Sequence, residues 1–252
     1  MTTTTHYDDY DVLALIYNED WISGLFQETI PVLEKLLLTR LTKGSHILDL
    51  CCGTGHLAQQ LLQKGYQITG IDGSEQMLHY ARENAPEARF ILDDARFFNL
   101  PATFDAVVST TGSLNYVMKI EELKRVLKNV SNALIENGIF LCHFFTQEEF
   151  QSNWNGKISG NVKDDYAWAT KNIYNPDTKI GQMSLTVFSL VDESWQRLDK
   201  VISEKCYDKE EIIFALETAG FSEISFYDAH YDLGISQMPG STYFICYKRV
   251  NI

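Results

Sequence analysis

From residue 45 to about residue 143 the chain alternates between short runs of β-branched and aromatic residues and longer helical patterns. The runs are "HILDLC" (46–51), "YQITGID" (66–72), "ARFIL" (88–92), "FDAVVST" (104–110) and "GIFLCHF" (138–144). Between them stand "HLAQQLLQKG", "SEQMLHYARENA" and "IEELKRVLKNVSNALIENG". In these, Leu57, Leu61 and Leu62 share one helix face, and Leu123, Val126, Leu127 and Val130 share another. Gly65 and Gly138 stand where a left-handed residue ends a helix. Ser74, ahead of Met77 and Leu78, predicts an N-cap. Strands that alternate with helices predict a doubly wound, mainly parallel sheet.

The pattern differs at both ends. Residues 8–40 predict two helices, "DVLALIY" and "WISGLFQETIPVLEKLLLTRL", the second kinked near Pro31. After residue 144, "YAWATKNIY" (166–174) alternates, with Tyr166, Trp168 and Tyr174 on one side. "NPDT" (175–178) is a strong turn signal, and "GQMSLTVFSLV" and "WQRLDKVISEKC" read as two more strands. Three strands without an intervening helix predict a small antiparallel accessory sheet. The α/β pattern then resumes with "DKEEIIFALETAG", and "FSEISFYDA" and "STYFICYKRV" are the last strands. The expected division is an N-terminal helical segment (1–44), a seven-stranded Rossmann-like domain with an antiparallel last strand (45–144 and 207–252), and an inserted sheet (145–206).

Composition narrows the function. Of 252 residues, 45 % are hydrophobic and 22 % charged, with a formal net charge of -13. Without Lys/Arg clusters, that charge argues against nucleic acid and against an anionic membrane surface. No apolar run approaches the ~20 residues of a membrane span. "MTTTTHYDDYD" lacks a basic region and an apolar stretch, so no signal peptide is expected. Five cysteines without a CxxC pair predict buried thiols rather than a metal site. A cytoplasmic enzyme fits best.

"ILDLCCGTGHLA" (47–58) is a strand, a glycine turn and a helix start. Such a turn presents free N–H groups and a positive dipole end to a ligand. Gly53-Thr54-Gly55-His56-Leu57-Ala58 fits the dinucleotide form G-x-G-x-x-A. Three acids separate the candidates. Asp49, inside the strand, suits a ligand with an ammonium group and opposes a pyrophosphate. Asp72, nineteen residues beyond Gly53, can accept from two ribose hydroxyls, as both readings predict. Asp94, followed by Ala95, stands where an adenine amino group can be met. An ammonium, a ribose and an adenine describe S-adenosyl-L-methionine rather than NAD.

These stretches resemble the class I S-adenosylmethionine-dependent methyltransferases: "ILDLCCGTG", "GIDGSEQML", "LDDA" and "FDAVVSTTGSLNYV" occur in the family's order. The resemblance implies further cofactor contacts at Gly73, Ser74, Met77 and Thr110, with Thr111 beside it. It also implies a helical lid carrying Tyr17. The family usually has glycine at the position of Cys51. Cysteine preserves the close approach there if the backbone angles are those of a non-glycine residue.

Methyl transfer needs alignment and water exclusion more than an acid–base signature, and none is visible. His143, at the end of the fifth strand, is the candidate base. Asn115, Tyr116, His230 and Tyr231 follow strand ends at the ligand-binding edge, and Trp168 and Tyr174 belong to an aromatic cap, so all six are expected in a substrate pocket. The reaction expected is transfer to nitrogen or oxygen of a small molecule. An NAD(P)-dependent oxidoreductase on the same turn, and a non-catalytic S-adenosylmethionine-binding module, are the alternatives.

Overall fold

The alternating half of the chain folds as its pattern predicts. A computed structural model describes residue 11 and residues 13–235 and 239–249. The strands are β1 (His46–Leu50), β2 (Gln67–Asp72), β3 (Arg89–Leu92), β4 (Phe104–Ser109), β5 (Leu134–Phe145), β6 (Ile158–Val162), β7 (Tyr166–Asn175), β8 (Ile180–Val191), β9 (Ser194–Lys205), β10 (Phe221–Asp228) and β11 (Ser241–Lys248). Seven of them form one sheet in the order β3-β2-β1-β4-β5-β11-β10. β1 to β5 pair in parallel, and β11 runs antiparallel to both its neighbours. The strand order reverses between β1 and β4, so the ligand crevice of such a sheet is expected outside their carboxyl ends.

The helices are α1 (Leu13–Ile16), α2 (Ile22–Leu36), α3 (His56–Gln63), α4 (Glu75–Asn84), α5 (Ile120–Ala133) and α6 (Lys209–Ala219). On one face of the sheet, Leu123, Val126, Leu127 and Val130 of α5 pack with Ile212, Ala215 and Leu216 of α6. On the other, Val32, Leu33 and Leu36 of α2 pack with Leu57, Ala58 and Leu61 of α3. Each such side chain, fully buried, contributes about 1.5–3 kcal/mol. β1 and β4, covered on both faces, are accordingly buried nearly throughout.

Two stretches differ from the pattern. The two N-terminal helices form one helical run, because a π-helical turn (Tyr17–Trp21) joins α1 to α2. Pro31 lies within α2, and residues 8–10 and 12 of that prediction lie outside the described residues. α5 stops at Ala133, so "LIENG" opens β5. The β4–β5 register shifts between Phe104 and Ala106, and Asn137 (φ +59°), not Gly138, takes the left-handed conformation in the extra length.

The accessory sheet has four strands, β6-β7-β8-β9, all antiparallel. β6, "ISGNV", is short and largely exposed, and has no alternation to mark it. The other three follow the predicted runs. Asn175 Oδ1 accepts from the N–H groups of Asp177 and Thr178 at 2.9 and 3.2 Å, which makes the expected turn. Asp192 and Glu193 (φ +46° and +62°) form the two-residue loop between β8 and β9. The inward face carries Tyr166, Trp168, Thr170, Asn172 and Tyr174 of β7, Met183 and Leu185 of β8, and Ile202 and Glu204 of β9. Among the described residues no helix is long and apolar enough to cross a membrane.

Candidate active site

At the carboxyl end of β1 the chain turns sharply, with Cys51, Gly53 and Gly55 all at positive φ (+61°, +52° and +76°). The Cys52 N–H donates to Ile71 O at 3.0 Å, holding the turn against β2. Asp72, at the end of β2, then joins two elements: its carboxylate accepts from Gly53 N at 2.8 Å and from Ser74 N at 3.0 Å. Ser74 caps α4 as predicted, accepting from Met77 N at 3.1 Å. A Cβ at Gly55 would come within 2.8 Å of Ala81 Cα, so glycine there lets α3 and α4 close on each other. A Cβ at Gly53 would meet the Tyr17 ring at 3.4 Å. Tyr17 crosses the turn to Thr111, its hydroxyl 3.4 Å from Thr111 Oγ1.

The turn borders a cavity of about 660 Å³ that runs from it to the inward face of the accessory sheet. Tyr17, Cys51, Gly53, Asp72, Gly73, Ser74, Met77, Asp94 and Ala95 line the turn end. Tyr116, His143 and Trp168 line it as well. The structure therefore brings together twelve of the residues that the sequence singles out.

The other seven lie elsewhere. Asp49 is buried behind the turn, and Gly55 sits between two helices. Thr110 is buried, and its neighbour Thr111 (φ +56°) takes its place in the wall. Asn115 is wholly engaged with backbone: its side chain pairs with Phe145 N and O, both at 3.0 Å, and donates to Lys205 O at 2.9 Å. Tyr174 stacks on Phe150, ring centroids 5.2 Å apart, away from the cavity. Tyr231 is 65 % exposed, its hydroxyl donating to Glu148 at 2.9 Å, and His230 shares that outer turn. Asp228 accepts from the backbone N–H groups of His230, Tyr231 and Gly240, which holds His230 and Tyr231 in that turn, outside the residues that line the cavity.

His143 does not have the arrangement of a base. Gly112 N donates to its Nδ1 at 2.9 Å, which leaves Nε2–H to donate to Ser241 Oγ at 2.8 Å. Burial pushes its pKa down to about 3, with Asp228 opposing weakly. The ring is neutral at physiological pH and both nitrogens are occupied. Cys51, in turn, has the left-handed backbone of a glycine rather than the angles expected of cysteine. Such a conformation costs about 1–2 kcal/mol in a residue with a Cβ. Burial, with Asp72 and Asp49 adding, pushes its thiol well above the usual range, so it stays protonated.

The carboxylates around the turn are strained electrostatically. Burial, then repulsion from Asp72, raises Asp49 to about 7, and its Oδ2 has no hydrogen-bond partner. Burial raises Asp72 too, against the bonds from Ser74 and Gly53. Asp94 is held by Arg96, which donates to both its oxygens at 2.7–3.1 Å and also pairs with Glu122 at 3.5 Å.

Residues 47–138 match a family model described as a methyltransferase domain. Over 96 % of its length the chain superposes on 99 % of an S-adenosylmethionine-dependent methyltransferase from Clostridium acetobutylicum, with a TM-score of 0.77 at 21 % identity. Residues 47–138 are thus a methyltransferase domain in sequence, and the chain as a whole has the fold of an S-adenosylmethionine-dependent methyltransferase. In sequence the methyltransferase is similar to YqeM of Bacillus subtilis, 28 % identical over 84 % of this chain and 86 % of that one. It is also similar to the dTDP-3-amino-3,4,6-trideoxy-alpha-D-glucopyranose N,N-dimethyltransferase of Streptomyces venezuelae, 29 % identical over 61 % of this chain and 63 % of that one.

The residues present fit S-adenosyl-L-methionine as cofactor. A buried carboxylate with an unpartnered oxygen asks for a cation, the glycine turn leaves backbone bare, and about 660 Å³ is ample for a ligand of this size. Several residues of the methyltransferase's cavity escaped sequence reasoning. Arg96 carried no signal beyond its place in "DDAR". Asn172 and Glu204 carried a usable one: each is polar at an inward position of an alternating strand.

Proposed function

We propose that the enzyme methylates nitrogen or oxygen of a small molecule held between the glycine turn and the accessory sheet. One observation carries this reading: a single cavity has the residues of the turn at one end and the inward faces of Trp168, Asn172 and Glu204 at the other. The amino-sugar relative, named as an N,N-dimethyltransferase, supports a small acceptor.

Each residue then has a distinct task. The bound cofactor supplies a methyl group already activated on sulfonium. Asp72 accepts from the ribose hydroxyls while keeping Gly53 and Ser74 in place. Asp49 supplies negative charge beneath the turn for the ammonium and sulfonium. Asp94 and Ala95 meet the adenine, with Met77 packing against it. Tyr17 closes the turn and excludes water, which is much of what catalysis by alignment requires. His143 positions the β4 turn through Gly112. Asn115 ties β9 to the main sheet, so that the acceptor end is fixed relative to the methyl donor. Five free cysteines suit a reducing compartment such as the cytoplasm.

Calorimetry with S-adenosylhomocysteine and with NADH tests the cofactor assignment of this cavity: saturable binding of the first alone is expected, and the reverse overturns it. A tritiated methyl-transfer screen over amines, phenols and carboxylic acids tests the catalysis. A blank screen on protein that binds S-adenosylhomocysteine would leave a binding module instead.

A further inference from the structure

The accessory-sheet end of the cavity carries a polar group that nothing in the fold explains. Glu204 is 2 % exposed, and its Oε2 has no hydrogen-bond partner. Among the described residues, the Tyr116 hydroxyl is the side-chain partner of its carboxylate. On the same face, one row along the sheet, Asn172 is 8 % exposed and its Oδ1 also lacks a partner. Both residues line the cavity. The strands hold them there: Glu204 pairs with Gly181, and Gly181 has no side chain because Phe150 would lie 2.5 Å from its Cβ. Asn115, bonded to the carbonyl of Lys205, fixes the end of β9 beside Tyr116.

Two buried acceptors without donors form a site that is incomplete. The charges nearby say what completes it. Glu149 also lines the cavity, its carboxylate taken by Asn153 at 2.7 Å, and it repels a charge on Glu204. Lys157, an exposed side chain, offsets Glu149. The excess is negative, so an anionic acceptor is disfavoured and a cation is favoured. Trp154 and Trp168 line the same cavity, and aromatic walls favour a cation over an anion.

We propose that Glu204 and Asn172 form an amine-reading subsite, and that the acceptor is a small primary or secondary amine whose ammonium proton is taken by Glu204. This rests on the methyl-transfer reading above and names its substrate class. The ammonium gives one proton to the Glu204 carboxylate. The freed nitrogen lone pair forms the N–C bond as the C–S bond breaks, and the bonding electrons stay on sulfur. The N-methylated amine leaves as a cation, and Glu204 returns its proton to solvent, so one proton is released per turnover. Burial first, with Glu149 adding and the Tyr116 bond opposing, raises Glu204 to about 8. A base poised near the working pH is suited to this exchange.

The test is calorimetry on the full chain saturated with S-adenosylhomocysteine, using isosteric pairs: cyclohexylamine with cyclohexanol, and benzylamine with benzyl alcohol. At least one amine is expected to bind tenfold or more tighter than its alcohol. Glu204→Gln, which keeps shape and the Tyr116 contact, should remove that preference and leave alcohol and S-adenosylhomocysteine affinities within threefold. In wild type, amine binding should also release or take up protons, read from buffers of different ionisation enthalpy, and the variant should lose that signal. If no amine exceeds its alcohol, or Glu204→Gln retains the preference, the subsite is refuted with the cofactor reading intact. Failure of S-adenosylhomocysteine to bind would instead remove the reading beneath it.

Discussion

Asp49 shows how much a single buried carboxyl can govern. Its pKa of about 7 comes from burial and from Asp72, with Tyr17, Cys51 and Cys52 as the other titratable groups around it. A raised acid stabilises the empty protein in its protonated form, below the unfolded pKa, and that contribution is lost as pH rises through about 7. A cationic ligand reverses the preference by favouring the carboxylate. Only the ionised fraction is then competent, so S-adenosylmethionine affinity should rise about tenfold from pH 6 to pH 8 and level off above. Asp49→Asn should flatten that profile and weaken binding at pH 8, which calorimetry across the range would show. At Cys51, replacement by glycine removes a left-handed penalty of about 1–2 kcal/mol and adds about 0.5–1 kcal/mol of unfolded-state entropy. A slightly higher denaturation midpoint with unchanged slope is the expected result.

Elements were legible in proportion to the strength of their period. Leu57, Leu61, Leu123 and Val126 mark their helices because buried faces repeat at helical spacing, and the β7 and β8 runs mark theirs by alternation. Residues 134–138 read as helix because nothing local announces a bulge, which arises from pairing with Phe104. Tyr174 and Trp168 share a face by alternation, yet only Trp168 reaches the cavity, since Phe150 covers Tyr174. That distinction depends on a segment outside the sheet. Asn115 likewise reads as pocket-lining, while its geometry makes it the tie between β9 and the end of β5. Trp168→Ala should therefore lower kcat/KM by about tenfold, some 1.4 kcal/mol of transition-state binding, and change S-adenosylhomocysteine affinity less than threefold. Tyr174→Ala should lower thermal stability instead.

At the scale of the whole molecule the cofactor-and-acceptor cavity is enclosed by three separate pieces: the strand ends, the N-terminal helical run and the accessory sheet. Ligand binding to the folded state alone stabilises it by about 2.7 kcal/mol at a hundredfold excess over Kd. For a chain of this size each kcal/mol moves Tm by about 2–4 °C, so S-adenosylhomocysteine should raise Tm by roughly 5–10 °C in a thermal melt. A shift under about 2 °C at that excess would mean that the cavity is not the cofactor's.

The N-terminal run and the accessory sheet are also joined to each other. Asp20, in the π-helical turn, accepts from Trp168 Nε1 at 2.6 Å, from Tyr166 Oη at 3.2 Å and from Asn161 Nδ2 at 3.1 Å, and Lys163 pairs with it at 3.0 Å. Trp21 meets the edge of Trp168 in a T-shaped contact, centroids 5.4 Å apart. Two stretches some 140 residues apart in sequence thus share one seam. For anyone wishing to graft a different acceptor specificity onto this scaffold, the transferable unit is not the inserted sheet alone. A chimera that imports a foreign sheet and keeps the native Tyr17–Trp21 turn would leave a carboxylate facing unmatched partners, so the two segments must be exchanged as a pair.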